Sequence, residues 1–365
     1  MKIIIAAGGS GGHIFPAIAL GKELLANDRE NKIMYIGSDK ALDKRMLEKE
    51  GARFETMSAN KLAYKVSPDI IIVLLKSIVD LFKALSIMLS YRPDVVIGFG
   101  GYVSFPVITA AKAFRIPTII HEQNVVPGRA NSILFRLADR VALSFEETKK
   151  FMDRYAAKSV LTGNPVRNEI LKSGRSYSAK CFGLDERKFT ILIIGGSQGA
   201  AFLNRTFIDA LSAIGPEVRP RLQIIHITGV KDYEWALKAY DGLGIDYRVH
   251  SFIDRIEEAY GAANLVVTRS GASALFELAI LRKPMILIPY PYAMSHQLDN
   301  ALVFSGRKAA IVVEEKGLSP ETLGGLICGL IKDKDRLRSL GEAAGELARP
   351  LASKNLADEV NLLKG

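Results

Sequence analysis

Ile3-Ile4-Ile5-Ala6-Ala7-Gly8-Gly9-Ser10-Gly11-Gly12-His13-Ile14-Phe15-Pro16 is the stretch that decides the fold. An apolar, β-branched run predicts a strand, which stops at a set of small residues. A helical pattern follows from about Pro16, with Ala17, Leu20 and Leu24 on one face and Ile18 and Leu25 beside them. Pro16 fits a first helical position, where its fixed φ is helical and its missing N–H costs nothing. Strand, glycine loop and helix start together make an anion site, because backbone N–H groups converge there and the helix dipole favours negative charge. Glycines let the backbone approach a phosphate or sugar without Cβ clashes. His13 stands at the mouth of the loop. The loop is neither G-x-x-x-x-G-K-[ST] nor a clean G-x-G-x-x-G, so neither a P-loop NTPase nor an NAD-binding fold follows. Taken alone, it also fits a tight turn with a packing histidine.

The pattern recurs half a chain later. Thr190-Ile191-Leu192-Ile193-Ile194 runs into Gly195-Gly196-Ser197-Gln198-Gly199, and a helix is expected from about Ala200. A duplicated strand–loop–helix unit predicts two similar α/β domains, each offering a helix N-terminus to one cleft. A chain of 365 residues is long for one domain and comfortable for two. The expected division is an N-terminal domain over 1–163, a C-terminal domain over 164–340, and terminal helices over 341–365 that return toward the N-terminal domain. The turn Gly163-Asn164-Pro165-Val166-Arg167 serves as the hinge.

A hydrophobic fraction of 48% with 24% charged residues is ordinary globular composition and argues against disorder. Net charge is +10, and residues 1–165 hold 23 Lys and Arg against 16 Asp and Glu. That asymmetry favours an anionic surface or substrate for the first half. Basic clusters interleaved with aromatics are absent, so nucleic acid is not expected. Two isolated cysteines, Cys181 and Cys328, support neither a disulfide framework nor a Cys-rich metal site, and suit a reducing, cytoplasmic setting. No cleavable leader and no apolar run of about 20 residues is seen, which predicts a soluble or peripheral protein.

Further along, Asp94-Val95-Val96-Ile97-Gly98 is a buried strand followed by a third glycine loop, Phe99-Gly100-Gly101-Tyr102. Thr118-Ile119-Ile120-His121 ends in Glu122-Gln123-Asn124, and polar residues clustered at a strand end suit a site lining. In the second half, Arg269-Ser270-Gly271-Ala272-Ser273 opens a helix with Glu277 one turn in. Pro289-Tyr290-Pro291-Tyr292 leads to His296, Gln297 and Asn300, the last two sharing a helix face at i, i+3. From Ile70 to Leu89 the sequence is apolar almost all round, broken by a stripe of Lys76, Asp80 and Lys83. Lys61, Lys65 and Arg92 flank it. Two readings stand side by side: a buried connecting helix, or an apolar surface with a basic rim seated on an anionic membrane. The only D-x-D, Asp333-Lys334-Asp335, falls in a charged junction, and the five histidines are dispersed. No metal, cofactor or nucleophilic triad is expected. What remains is glycine loops, helix N-termini and neutral hydrogen-bonding residues, a set suited to a diphosphate and a sugar's hydroxyls.

In order and in register, Gly8–Pro16, Gly100–Ser104, His121–Asn124, Gly163–Arg167, Gly195–Ala200, Ser270-Gly271-Ala272 with Glu277, and His296-Gln297 with Asn300-Ala301 make one set. This set closely resembles the bacterial N-acetylglucosaminyltransferases that convert lipid I to lipid II in peptidoglycan synthesis. The resemblance implies a type-B glycosyltransferase fold, two Rossmann-like domains facing a cleft, with UDP-GlcNAc held mainly by the second. It implies that Ile253 meets the uracil through its backbone and Glu277 accepts the ribose hydroxyls. Ser197, Gln198 and the helix opening at Gly271, Ala272 and Ser273 would hold the diphosphate, while Gln297 and Asn300 bind the GlcNAc hydroxyls. Ser10, Gly11, Gly12, Asn124 and Arg167 would complete the donor site. His13 is implied as the general base, with Tyr102, His121 and Glu122 on the acceptor side. Two departures stand out: Ala274 lies where a Thr or Ser is usual, the hydroxyl moving to Ser273, and Ser10 replaces the commoner Thr. The implied reaction is an inverting, metal-independent transfer from UDP-GlcNAc to the C4 hydroxyl of the MurNAc of lipid I. Its place is the cytoplasmic face of the cell membrane, against an anionic lipid surface. The rivals are a UDP-sugar epimerase, a type-B transferase with another acceptor, and a non-catalytic nucleotide-sugar or anionic-lipid binder.

Overall fold

The computed structural model describes every residue except 59–68, 197–198, 293–295 and 364–365, and gives the backbone alone over 69–75. The chain divides into two compact units, Met1–Arg167 with Arg349–Gly365, and Asn168–Ala348. The breaks fall four and eight residues beyond the positions expected from the sequence.

The first unit is built on β1 (Lys2–Ala6), β2 (Lys32–Ser38), β3 (Phe54–Met57), β4 (Val95–Gly98), β5 (Thr118–Glu122), β6 (Arg140–Leu143) and β7 (Ser159–Leu161). They form one parallel sheet in the order β3-β2-β1-β4-β5-β6-β7. The middles of its central strands, Ile3–Ile5, Val95–Ile97 and Ile119–Ile120, are unbroken apolar runs because helices cover both faces. Ile3, Ile5, Ile97 and Ile119 pack on one side with Leu20 and Leu24 of α1 (Gly11–Asn27). Ile4, Ala6, Val96 and Ile120 pack on the other with residues of α3 (Asp69–Tyr91) and α4 (Gly101–Ala113). Between them in the chain lies α2 (Ala41–Lys49), and α5 (Arg129–Leu134) follows β5. The helix Ala352–Leu362 returns to this unit from the far end of the chain, burying Leu356, Ala357 and Val360 in the core that α1 shares.

The second unit repeats the plan with β8 (Phe189–Ile194), β9 (Leu222–Ile227), β10 (Asp246–His250), β11 (Leu265–Thr268), β12 (Met285–Leu287) and β13 (Ile311–Val312). The sheet is again parallel, in the order β10-β9-β8-β11-β12-β13. In both sheets the strand order reverses beside the first strand, between β1 and β4 and between β8 and β11. Those are the switch points at which open α/β sheets take ligands, beyond the strands' carboxyl ends. The glycine loops after β1, β4 and β8 all lie there.

One expectation needs correction. α1 begins at Gly11, so Pro16 is its sixth residue rather than its first. The turn is completed within Gly8–Ser10, where Gly9 takes a left-handed φ of 90° and Ser10 an extended conformation. Gly11 and Gly12 then adopt helical angles that their identity does not announce. His13 is therefore a first-turn helix residue.

Candidate active site

In the first unit the loops after β1, β4 and β5 meet at the sheet's carboxyl edge. Gly8 packs so closely on β2 that a Cβ there would lie 2.6 Å from the Ser38 nitrogen and 2.8 Å from Asp43 Oδ2. His13 is partly buried beside it, with Nδ1 3.1 Å from the Gly8 carbonyl and 3.3 Å from Ser10 Oγ. The start of α4 closes the far side: a Cβ on Gly101 would stand 3.0 Å from the Gly8 oxygen and 3.3 Å from His13 Nδ1. Burial holds the His13 imidazole below its ordinary 6.5, against the raising effects of the Gly8 carbonyl, Glu122 and Asp43. Neutral imidazole is the form that can take a proton. Tyr102 follows in the first turn of α4, half-buried. Arg167 lies over the Phe15 ring of α1, 4.6 Å from its centroid.

The residues at the end of β5 are turned inward. His121 is fully buried, its Nε2 donating to the Gly163 carbonyl at 3.0 Å and its Nδ1 accepting from Gln123 Nε2 at 3.0 Å. Burial pushes it down to about 4. Glu122 is equally buried: one oxygen accepts the Asn124 N–H at 2.9 Å, and the other accepts from the Gly128 N–H at 3.0 Å and Asn131 Nδ2 at 2.8 Å. The two side chains brace the loop that carries Asn124, and their charge or dipole reaches the edge indirectly.

The second unit shows a matching edge. Gly271 caps the nine-residue helix Ala272–Ile280, whose first turn carries Ala272 and Ser273 and whose inner face buries Glu277. The helix His296–Gly306 lies against this loop. Ser270 Oγ donates to the Gln297 carbonyl at 2.7 Å, and Asn300, fully buried, donates from Nδ2 to the Ser270 carbonyl at 3.2 Å. Gln297 Oε1 in turn accepts the Tyr290 N–H at 3.0 Å. Ser270, Tyr290, Gln297 and Asn300 are thus hydrogen-bonded into one assembly beside the helix start that carries Gly271, Ala272 and Ser273, with Glu277 on that helix's inner face. Ile253 is half-buried in the loop after β10. Ser197 and Gln198 lie outside the described residues. No group of three or more His, Cys, Asp or Glu among the described residues could hold a metal ion.

Two residues that matter here escape sequence reasoning. Asp43, fully buried, accepts from the Gly9 N–H at 2.7 Å, the Ser38 N–H at 3.2 Å and the Ser38 hydroxyl, all on Oδ2. Arg269 pairs with Glu315 and donates to the carbonyls of Ile288 at 3.0 Å and Pro289 at 3.3 Å, fixing the turn beneath Tyr290. Asp43 stands in a segment that reads as a solvated polar helix, and Arg269 opens a motif whose glycine and serine draw the eye.

Two family models match this chain: the glycosyltransferase family 28 N-terminal domain over residues 3–143, and the glycosyltransferase family 28 C-terminal domain over residues 190–356. The chain belongs to glycosyltransferase family 28. A relative from Geobacter sulfurreducens is 40% identical, covering 99% of this chain and 98% of its own length. Another, from Thermodesulfovibrio yellowstonii, is 37% identical over 98% of this chain and 97% of its own. Both are named UDP-N-acetylglucosamine–N-acetylmuramyl-(pentapeptide) pyrophosphoryl-undecaprenol N-acetylglucosamine transferase. Among solved structures, MurG of Acinetobacter baumannii superposes with a TM-score of 0.76 at 27% identity, over 99% of both chains. The family's two domain models span β1–β6 and β8–β13 with both glycine-loop edges, and the fold is the type-B glycosyltransferase architecture.

Proposed function

We propose that this protein transfers GlcNAc from UDP-GlcNAc to the C4 hydroxyl of the MurNAc of lipid I, giving lipid II and UDP for cell-wall synthesis. Kinship at 40% identity along almost the whole chain supports the donor and acceptor classes. His13 carries the reaction type: a neutral imidazole fixed at a helix start, at the sheet's switch point.

In the proposed step His13 takes the proton of the acceptor hydroxyl as its oxygen attacks the anomeric carbon. The bond from that carbon to the diphosphate breaks, UDP leaves with the electron pair, and the configuration inverts. In this reading the N-terminus at Gly271 holds the diphosphate, with Glu277 on the ribose and Gln297 and Asn300 on the sugar; the helix start and the buried Glu277 support it. Arg167 and the glycine-loop residues Ser10, Gly11 and Gly12 supply charge-assisted and backbone hydrogen bonds, worth about 1.5–3 kcal/mol each where a charge is involved.

The acceptor's lipid calls for a membrane-facing surface, and α3 supplies a candidate. Ile78, Val79, Phe82 and Leu89 are 51%, 65%, 67% and 60% exposed. Phe105 and Phe114 on the adjoining α4 segment and Ile133 of α5 are exposed as well. Lys76, Arg92, Arg115, Arg129 and Arg136, also exposed, can meet anionic headgroups. Lys61 and Lys65 lie outside the described residues. No helix among the described residues is long and apolar enough to cross a membrane, so the attachment proposed is peripheral, on the cytoplasmic face.

The test is transfer of labelled GlcNAc to a lipid I analogue by the purified protein, with and without EDTA. Lipid II formation that persists in EDTA supports the proposal. Release of free sugar, epimerisation of UDP-GlcNAc, or tight binding without turnover overturns it.

A further inference from the structure

The peptide unit that joins Gly8 to Gly9 is hydrogen-bonded at both ends. Its carbonyl lies 3.1 Å from His13 Nδ1, and its N–H donates to Asp43 Oδ2 at 2.7 Å. A carbonyl oxygen only accepts, so Nδ1 carries the imidazole hydrogen and Nε2 holds the lone pair. Ser10 Oγ, 3.3 Å from the same nitrogen, then shares that hydrogen as a second acceptor. We propose that Asp43 is a positioning residue for His13, acting through the single Gly8–Gly9 peptide to fix the tautomer and orientation of the imidazole. This inference rests on His13 as the base and adds a residue that never touches either substrate.

The geometry separates this role from plain bracing of the loop. Three donors converge on Oδ2, whereas Oδ1 is buried with no hydrogen-bond partner among the described residues. Bracing needs only an acceptor, which a neutral amide would supply. A full carboxylate does more: it polarises the peptide it binds, and hydrogen bonds in a chain strengthen one another. The Gly8 carbonyl becomes a better acceptor for Nδ1–H, and Nε2 a stronger base. This is the outer-partner logic by which histidines are held in one tautomer, with one amide interposed. The charged groups around the imidazole are few. Asp43 comes from α2, Glu122 from the end of β5, and Lys40 precedes α2, while the neutral His121 lies behind. Asp43 and Glu122 favour protonated His13, and Lys40 opposes it.

The experiment compares full-length wild type, Asp43→Asn and Ser38→Ala. Asp43→Asn is expected to lower kcat about 10–100-fold, with the affinity for UDP unchanged. Its acidic limb in the kcat/KM profile should move to lower pH, since a negative charge near His13 is gone. Ser38→Ala removes a bond to the same oxygen with no path to His13, so it should lower Tm while leaving the limb in place. Nitrogen NMR of labelled His13 reads the tautomer without any turnover: Nδ1–H in wild type, a tautomer mixture in Asp43→Asn. An unmoved limb together with an unchanged tautomer overturns the inference. Should His13→Ala retain full turnover while Asp43→Asn still changes the His13 spectrum, the base role fails and the coupling stands.

Discussion

His13 lies against the Gly8 carbonyl and the start of α4, and burial there holds its imidazole below 6.5. A base with a lowered value stays deprotonated to lower pH. The acidic limb of kcat/KM should therefore fall below the range of a free imidazole, and His13→Ala should cut kcat by about 10²–10⁴-fold while thermal stability holds. Normal turnover by the folded variant would rule the role out. Glu277 is a buried carboxylate one turn into the Ala272–Ile280 helix. Losing its bonds to the ribose hydroxyls should cost about 1–3 kcal/mol, raising the UDP dissociation constant at least several-fold in Glu277→Ala by calorimetry. Equal affinity would place the ribose elsewhere. Of the residues around these two, Asp43 was invisible for a physical reason: Lys40, Lys44, Arg45, Glu48 and Lys49 surround it with charge, so nothing in its neighbours signals burial.

α3 shows how far a pattern can be read. Its apolar-all-round sequence fits burial and membrane contact equally, and the fold shows which of its described side chains are buried and which are exposed. Ala84, Ile87 and Met88 face the core, whereas Val79, Phe82 and Leu89 face outward. Phe82→Asp should weaken binding to anionic vesicles about tenfold, the loss expected from one large apolar side chain. Reversing Arg92 should weaken it by about 1 kcal/mol. Binding that ignores both changes would leave this surface to some other role. The strands were legible because parallel sheets covered on both faces demand unbroken apolar runs, as Ile3–Ile5 and Val95–Ile97 show. The start of α1 was not, since Gly11 and Gly12 give no helical signal and Pro16 gives a misleading one. The polar cluster His121–Asn124 was visible as special, but its inward bonds to Gly163, Gly128 and Asn131 depend on contacts that spacing alone does not encode.

At the scale of the molecule, each unit holds a neutral histidine in its interior. Burial pushes His121 down to about 4 and His226 to about 3. Both bind a proton more readily when unfolded, near 6.5, so stability is full above that value and falls as pH drops toward 4. Each group can contribute up to about 1.4 kcal/mol per pH unit in that window. Melting temperature should decline between pH 6.5 and 4.5 in both units, and a flat profile would contradict the burial of these rings.

The helix Ala352–Leu362 gives the molecule an unusual order of completion. Its Leu356, Ala357 and Val360 fill the core beside α1, and Asn355 reaches the Thr162 carbonyl at 3.4 Å. A ribosome releases the amino terminus first, and domains usually fold as they emerge. Here part of the first unit's core comes from Leu356, Ala357 and Val360, which follow the whole of Asn168–Ala348 in the sequence. A chain that stops before Ala352 would carry all of Asn168–Ala348 but lack Leu356, Ala357 and Val360, leaving Leu20 and Leu24 without part of their cover. The half that bears His13 therefore draws part of its core from a helix translated only after the whole of the other unit.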